Sequence, residues 1–166
     1  MKKPAPIRVP TLLSALVLVL TTAYALLRYS ALPELIPIRF NGAGEAVGFG
    51  ARGMIFLYPA VALLFWGVLT LVASSKALLG HLNLPFPVPD TARAEVVDLS
   101  RAMIAWMTCA LTALLCIPSV ALIHGSVPVM NVVIAVCLAA MAAAAVFYLI
   151  KIRRVCRAAR PWDTEL

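Results

Sequence analysis

The side chains that could carry acid–base chemistry are few, and four of them gather in one short segment. Two carboxylates and two guanidinium groups lie within twenty residues of each other, at Glu34, Arg39, Glu45 and Arg52. His124 is the only other candidate expected at the same surface. Paired carboxylates perform general acid–base catalysis only when the fold holds them together. Two acids eleven residues apart on a loop do not indicate such a pair, so we expect a non-enzymatic protein.

The glycines of the same segment do not match a nucleotide-binding motif. Gly42, Gly44 and Gly48 read GxGxxxG, which differs from the GxGxxG spacing of dinucleotide-binding folds. No lysine follows them, as a phosphate-binding loop would require. We therefore expect neither a cofactor nor a metal in this protein.

The segment instead has the pattern of a β-hairpin. Residues 36–40 are predicted to be extended, Asn41-Gly42 is a favourable tight-turn pair, and residues 46–49 are predicted to return. Phe40 and Phe49 are expected to meet across the two strands and rest on the ends of helices. The glycines would permit positive φ or close backbone approach.

This loop is the candidate site for a ligand or a protein partner. An alternative reading is a plain scaffold, with charges solvated or in contact with lipid headgroups. The candidate binding residues are Glu34, Arg39, Phe40, Asn41, Gly44, Glu45, Gly48, Gly50 and Arg52.

The elements that position the loop are predicted to be membrane-spanning helices. The chain has 166 residues, of which 63% are hydrophobic and 13% are charged, too few charges for a typical soluble domain. A hydrocarbon core of about 30 Å requires roughly 20 residues of helix. Four segments suit that length, and together they predict an all-α, single-domain bundle over 1–166. The spans are residues 11–27, 54–73, 102–123 and 127–150.

The basic residues predict the orientation of the bundle. Eleven Lys and Arg fall in the N-terminal tail, the loop 74–101 and the tail 151–166, whereas three fall in the loop 28–53. The positive-inside rule then places both termini in the cytoplasm, and the loop 28–53 outside, of a bacterial plasma membrane. The net charge of +7 is thus explained by orientation, and no nucleic-acid partner is expected. A tight outer turn is predicted at Gly125-Ser126.

The N-terminus admits a second interpretation. Basic residues, an apolar run and the tripeptide Ala23-Tyr24-Ala25 resemble a signal peptide with a small-residue cleavage site. The apolar run is longer than a usual signal core and continues through Leu26 and Leu27. We favour a retained helix, and cleavage would leave three spans with the loop on the same side.

The cytoplasmic loop 74–101 is expected to end in a helix that enters span three. Prolines make residues 83–90 extended, and a helix from Thr91 would place Ala92, Val96, Leu99 and Met103 on one face. Asp98 and Arg101 would pair at i, i+3. This segment is either a connector on the membrane surface or a docking surface for a cytoplasmic partner.

The interiors of the spans argue against a pump or a coupled transporter. They contain no Asp, Glu, Lys, Arg or His, whereas proton and ion pathways usually require such groups at depth. The polar residues at depth are expected to be structural, with threonine hydroxyls bonded to the preceding turn. These residues are Thr70, Thr108, Thr112 and Asn131.

Two further features of the spans concern packing. Ala135, Ala139 and Ala143 form a ridge of small residues that predicts close contact with another helix, from this chain or from a partner. Pro59 and Pro118 could bend their helices and open a shallow pocket beneath the loop.

The motif "LPELIPIRFNGAGEAVGFGAR" at residues 32–52 resembles the bacterial domain of unknown function sixteen-forty-eight, which also opens the SdpI-type immunity proteins. The resemblance covers the helix–loop–helix from about Thr11 to Ala73. Arg39 and Val47 stand where the family often has His and Asp, and Arg52 stands where it has Lys. The resemblance implies a sensing or immunity role in which the outer loop engages a ligand or partner.

A second function, from a different class, remains open. The chain could be a structural accessory subunit of a larger membrane complex, bound through the alanine ridge and its lipid-facing surfaces. Its expected partners are the lipid bilayer and a protein bound at the loop or the ridge.

Overall fold

The protein is mostly helical, with one two-stranded sheet. The computed structural model describes residues 7–41, 45–75, 77, 79, 88–124 and 127–159. Gly44, Lys76, most of the segment 83–90 and the turn at Gly125-Ser126 lie outside the described residues. The elements in order are α1 (Arg8–Tyr29), β1 (Leu35–Phe40), β2 (Ala46–Ala51), a 3₁₀ helix (Arg52–Phe56), α2 (Leu57–Ser74), a second 3₁₀ helix (Asp90–Ala92), α3 (Arg93–His124) and α4 (Val127–Ala158).

Among the described residues, four helices are long and apolar enough to cross a membrane, as many as the spans predicted from the sequence. They cover Arg8–Tyr29, Arg52–Ser74, Asp90–His124 and Asn131–Ala158. Large apolar side chains remain exposed along all four, among them Leu27, Leu64 and Phe147. Because water would strongly disfavour such a surface, these helices indicate a multi-pass membrane protein.

Helix α3 is the centre of the bundle. It packs against α1, α2 and α4, whereas α1 and α2 contact each other much less. Small residues of α3 allow these close contacts, and Ala102, Ala105 and Cys109 are all buried. The guanidinium Nε of Arg101 donates a hydrogen bond to the carbonyl of Ala73, 2.7 Å away, at the end of α2. A cation there satisfies a carbonyl that has no partner within its own helix.

Helices α3 and α4 extend beyond the thickness of a bilayer at the end where α3 begins. Each has 32 residues, or about 48 Å at 1.5 Å per residue, against a hydrocarbon core of about 30 Å. The extensions are held together by a stalk cluster of Ala92, Val96, Leu99, Ile152 and Cys156. Ala92, Val96 and Leu99 of the predicted apolar face lie in this cluster, whereas Met103 does not, and the predicted pair of Asp98 with Arg101 is present at 3.4 Å.

The sheet is an antiparallel hairpin at the opposite end of the bundle, where α1 ends and α2 begins. The pairs run from Leu35–Ala51 to Phe40–Ala46, with register shifts on either side of Arg39. Pro37 is compatible with this position because each strand of a two-stranded sheet has a free edge. The predicted extended segments 36–40 and 46–49 are both strands.

One packing expectation at this end is wrong. Phe40 and Phe49 do not lie opposite each other, since Phe49 pairs with Pro37 and is 62% exposed. The register that pairs Leu35 with Ala51 and Phe40 with Ala46 places the two rings apart. Ile55, Ala62 and Ser119 are completely buried at this end, and a shallow pocket at Pro59 and Pro118 stays a prediction.

Candidate functional site

The hairpin has one face that fixes it to the helices. Ile36 is 1% exposed and forms a buried cluster with Ala25 of α1, Ile55 and Leu122 of α3. Ile38 and Phe40 pack against this cluster from the same strand. Because alternate residues of a strand point to one face, Ile36, Ile38 and Phe40 together form the inner face of the hairpin. The loop is thus a docked element of the fold.

A buried hydrogen bond strengthens this attachment. The hydroxyl of Ser119 in α3 donates to the carbonyl of Ile55, 2.8 Å away, and Ser119 is fully buried. Ile55 lies in the 3₁₀ helix that connects β2 to α2. A buried carbonyl without a partner would be costly, so this bond stabilises the connection between the hairpin and the bundle centre.

Arg52, a predicted binding residue, is occupied by contacts within the hairpin base. Its guanidinium lies over the ring of Tyr29 at 4.7 Å from the centroid, and Nη1 is 3.5 Å from the carbonyl of Leu32. Its backbone N–H donates to the carbonyl of Glu34 at 2.9 Å. These contacts join the end of α1 to the end of β2, and a ligand-binding role for Arg52 stays a prediction.

Asn41 and Glu45 close the tip of the hairpin. The amide Nδ2 of Asn41 donates to Oε2 of Glu45 at 2.8 Å, and the backbone N–H of Glu45 donates to Oδ1 of Asn41 at 2.9 Å. These bonds join the residues that follow β1 and precede β2, whereas Gly44 lies outside the described residues.

Gly48 and Gly50 lie close to side chains of β1, which would have to shift if either glycine carried a side chain. A Cβ at Gly48 would lie 3.1 Å from the Cβ of Arg39, and a Cβ at Gly50 would lie 2.8 Å from Cδ1 of Ile38. By contrast, a Cβ at Gly53 would meet nothing within 4 Å. Gly48 and Gly50 let the side chains of β1 lie over β2, which favours a packing role for both glycines.

The remaining part of the hairpin is exposed and apolar. Leu35, Val47 and Phe49 are 62–63% exposed, and we call them the hairpin apolar surface. The pairs Leu35–Ala51 and Pro37–Phe49 place Leu35 and Phe49 on the face opposite Ile36. Arg39 is also exposed. An exposed cluster of large apolar residues beside a cation is typical of a contact surface.

The two carboxylates of the loop are not brought together. Glu34 precedes the first residue of β1, and Glu45 precedes the first residue of β2. Because the strands are antiparallel and Glu45 lies opposite Asn41, the two acids lie at opposite ends of the hairpin, about 24 Å apart at 3.4 Å per residue. Both are exposed. The geometry gives no support to a carboxylate pair for acid–base catalysis.

A second polar cluster was not predicted from the sequence. The hydroxyl of Tyr24 lies 2.7 Å from Nε2 of His124, and the two rings are stacked with centroids 5.9 Å apart. Nε of Arg28 donates to the same hydroxyl at 3.4 Å. The spacing of Tyr24 and Arg28 at i, i+4 was a usable signal, but His124 lies 100 residues from Tyr24. The cluster joins the ends of α1 and α3.

The alanine ridge of α4 is not buried by the chain itself. Ala135, Ala139 and Ala143 are exposed in the structure, and of these Ala143 borders a groove between helices. Helix α4 packs on α3 through other residues, with Ile152 and Cys156 buried near its end. The sequence left open whether the ridge packs against another helix of this chain or against a partner. Among the described residues, none covers the face of Ala135 and Ala139.

The described residues bring no metal-binding set together. Within them, no group of three or more His, Cys, Asp and Glu side chains is close enough to hold a metal ion. The site therefore consists of a docked hairpin with an exposed apolar surface, one exposed arginine and a polar cluster at the helix ends.

Comparison with known proteins identifies the segment that contains this hairpin. Residues 16–63 match the family described as Domain of unknown function (DUF1648), and this range holds most of α1, the whole hairpin and the start of α2. No curated protein and no solved structure matches the chain. The resemblance to this family that the loop motif predicted is thus confirmed over residues 16–63, which are similar to DUF1648.

Proposed function

We propose that the protein is a non-enzymatic membrane protein whose hairpin engages a ligand or a protein partner. One observation carries the proposal: the hairpin is docked through its inner face while Leu35, Val47 and Phe49 stay exposed on it. A loop that merely connected two helices would need neither a docked inner face nor large apolar side chains on the outside.

The resemblance to the SdpI-like group favours a sensing or immunity role for this binding. By the positive-inside rule the hairpin faces the outside of the cell, where a secreted peptide would meet it. An amphipathic or apolar peptide would be attracted to the hairpin apolar surface, and Arg39 would favour an acidic group beside it. The contacts of Arg52, Asn41 and Glu45 hold the hairpin in shape for such a ligand.

Site-specific photocrosslinking in producing cells tests the proposal. A benzophenone amino acid replaces Phe49 in one variant and Leu64 in another, since both side chains are exposed, at 62% and 65%. Leu64 lies on α2 and serves as the lipid-facing control. We expect a discrete protein or peptide adduct from position 49 and none from position 64. The adduct should disappear when Leu35 and Val47 are changed to serine.

The result that contradicts the proposal is equally definite. If position 49 gives the same lipid adducts as position 64 and no protein or peptide adduct, the hairpin apolar surface rests on the bilayer. If the adduct persists in the variant with Leu35→Ser and Val47→Ser, the contact does not use this surface.

A structural subunit of a larger membrane complex is the second candidate function. It is favoured by the exposure of α4, because only 6% of an apolar 18-residue stretch of this helix is buried. Ala135 and Ala139 on this helix would let another helix approach closely. Purification in a mild detergent distinguishes the two functions. A stoichiometric complex that is crosslinked through Ala139→Cys supports the structural subunit. A lone protomer with a folded hairpin supports the binding protein.

A further inference from the structure

A groove runs between α1 and α4, with α3 as its floor. Its volume is about 640 Å³, within the usual range for a small-molecule site. Leu13 and Val17 form the wall on α1, and Ala140 and Ala144 contribute to the wall on α4. The groove is open on its side, so a molecule within the bilayer can enter it laterally.

The groove is deep because small residues line it. Ala110 and Ala113 of α3 face Ala140 and Ala144 of α4, and a larger residue at any of these positions would fill space that is now empty. Trp106 and Phe147 line the groove as well. All these groups are apolar or carry one polar atom, which suits a hydrocarbon chain.

A second cavity adjoins the groove and carries positive charge. It has a volume of about 360 Å³ and is lined by Phe147, Ile150, Lys151 and Arg154. Phe147 borders both cavities, so the two cations lie beside the apolar groove. Nζ of Lys151 lies 5.9 Å from the centroid of the Phe147 ring, which places the ammonium at the mouth of the groove.

The two cations are placed at the depth of lipid headgroups. Residues 131–150 of α4 carry no charge, and twenty helical residues cover about 30 Å, the thickness of the hydrocarbon core. Lys151 and Arg154 follow directly. Among the described residues, no ion pair is present between either of them and an acidic side chain. Both charges are exposed toward the mouth.

We propose that this groove binds one anionic phospholipid, with an acyl chain between α1 and α4 and the phosphate against Lys151 and Arg154. Basic pockets between membrane helices on one side of the bilayer suit anionic headgroups. A second copy of the chain is a poorer occupant. Copies in one membrane share an orientation, so a two-fold contact at this groove would bring like charges at Lys151 and Arg154 together.

Trp106 is a natural reporter for the groove, since bromine on an acyl chain quenches tryptophan fluorescence at short range. The protein is reconstituted in phosphatidylcholine vesicles with a small fraction of either brominated phosphatidylglycerol or brominated phosphatidylcholine. The Trp106→Phe variant, measured in parallel, gives the contribution of the other tryptophans. We expect brominated phosphatidylglycerol to quench Trp106 at a lower mole fraction than brominated phosphatidylcholine.

Charge variants test the headgroup contact. Lys151→Gln and Arg154→Gln should each weaken the apparent preference for the anionic lipid roughly 5-fold, as expected for one cation at a membrane surface. Arg153→Gln and Arg157→Gln form the matched control, because both are exposed cations of the same helix that do not line either cavity. Equal effects of the two pairs would overturn the proposal, since attraction would then come from the surface as a whole.

Groove variants test the acyl-chain contact. Ala140→Leu should abolish the selective quenching of Trp106, whereas Ala139→Leu, on the neighbouring exposed position outside the groove, should retain it. Equal quenching by both brominated lipids would overturn the anionic site. Absence of quenching together with crosslinks between two copies at Ala140→Cys would show that a second protein chain fills the groove.

Discussion

Single hydroxyl groups join helices in this protein. Nε1 of Trp66 in α2 donates to the hydroxyl of Ser14 in α1 at 2.9 Å, and Ser119 in α3 donates to Ile55 at 2.8 Å. Both serines are fully buried. In a bilayer, where helices gain little from burying apolar area, such bonds and close packing determine which helices meet.

The change Ser119→Ala removes one of these bonds. We expect a loss of about 1 kcal/mol in the free energy of unfolding, because the buried carbonyl of Ile55 loses its partner and hydrogen bonds between membrane helices have this magnitude. Reversible unfolding in mixed detergent micelles measures the loss. Ser30→Ala, at an exposed position after α1, is the control and should be neutral. Equal stability of both variants would show that the bond to Ile55 contributes nothing.

At the residue scale, hydrogen bonds within one helical turn could be predicted from the sequence, whereas hydrogen bonds between distant residues could not. Thr108 and Thr112 donate to the carbonyls of Ile104 and Thr108 in the preceding turn, both at 2.8 Å, as expected. The partners of Ser14 and Ser119 are 52 and 64 residues away. A rule that considers only neighbouring residues of one helix cannot predict either pair.

At the scale of elements, the hairpin is stabilised chiefly by its inner face. Ile36 and Ile55 are 1% and 0% exposed, and they connect β1 to the bundle through Ala25 and Leu122. The two-stranded sheet would be marginal alone. Its order therefore depends on the helices beneath it.

Replacing Ile36 by alanine should release the hairpin while the helices stay folded. Truncation of a buried isoleucine costs about 2–5 kcal/mol, which is comparable to the stability of an element this small. Hydrogen exchange should show faster exchange of the amides in β1 and β2 and unchanged exchange in α3. Leu35→Ala, on the exposed face, should leave both unchanged. Loss of protection in α3 after Ile36→Ala would show instead that the hairpin and the bundle unfold together.

The strands could be predicted, but their side-chain contacts could not. The extended segments 36–40 and 46–49 were predicted and both are strands, whereas Gly42 of the predicted turn pair lies outside the described residues. The pairing of Phe49 with Pro37 was not predicted. Arg52 was a candidate binding residue, and its contact with Tyr29, 23 residues earlier in the sequence, was not predicted.

At the scale of the whole molecule, α1 begins and α4 ends at the same end of the helix bundle. The hairpin lies at the opposite end, between the first and second helices. The number of spans followed from apolar length, because it depends on no tertiary contact. The central position of α3 did not follow, since all four spans have similar composition.

Thiol labelling of intact cells tests the predicted orientation. Val47→Cys should react with a membrane-impermeant maleimide, whereas Ala158→Cys should react only after permeabilisation, because both positions are exposed and the basic tail is expected in the cytoplasm. The native cysteines are replaced in both variants. Labelling of Ala158→Cys in intact cells, with none at Val47→Cys, would reverse the orientation and place the hairpin inside.

The central helix has a consequence for how the protein is made. During synthesis α1, the hairpin and α2 leave the ribosome before α3, which is the helix on which they pack. Until residues 93–124 enter the bilayer, Ile36 and Ile55 lack their contact at Leu122, and the carbonyl of Ile55 lacks the hydroxyl of Ser119. The DUF1648 segment therefore completes its tertiary structure only after translation has passed well beyond its own codons.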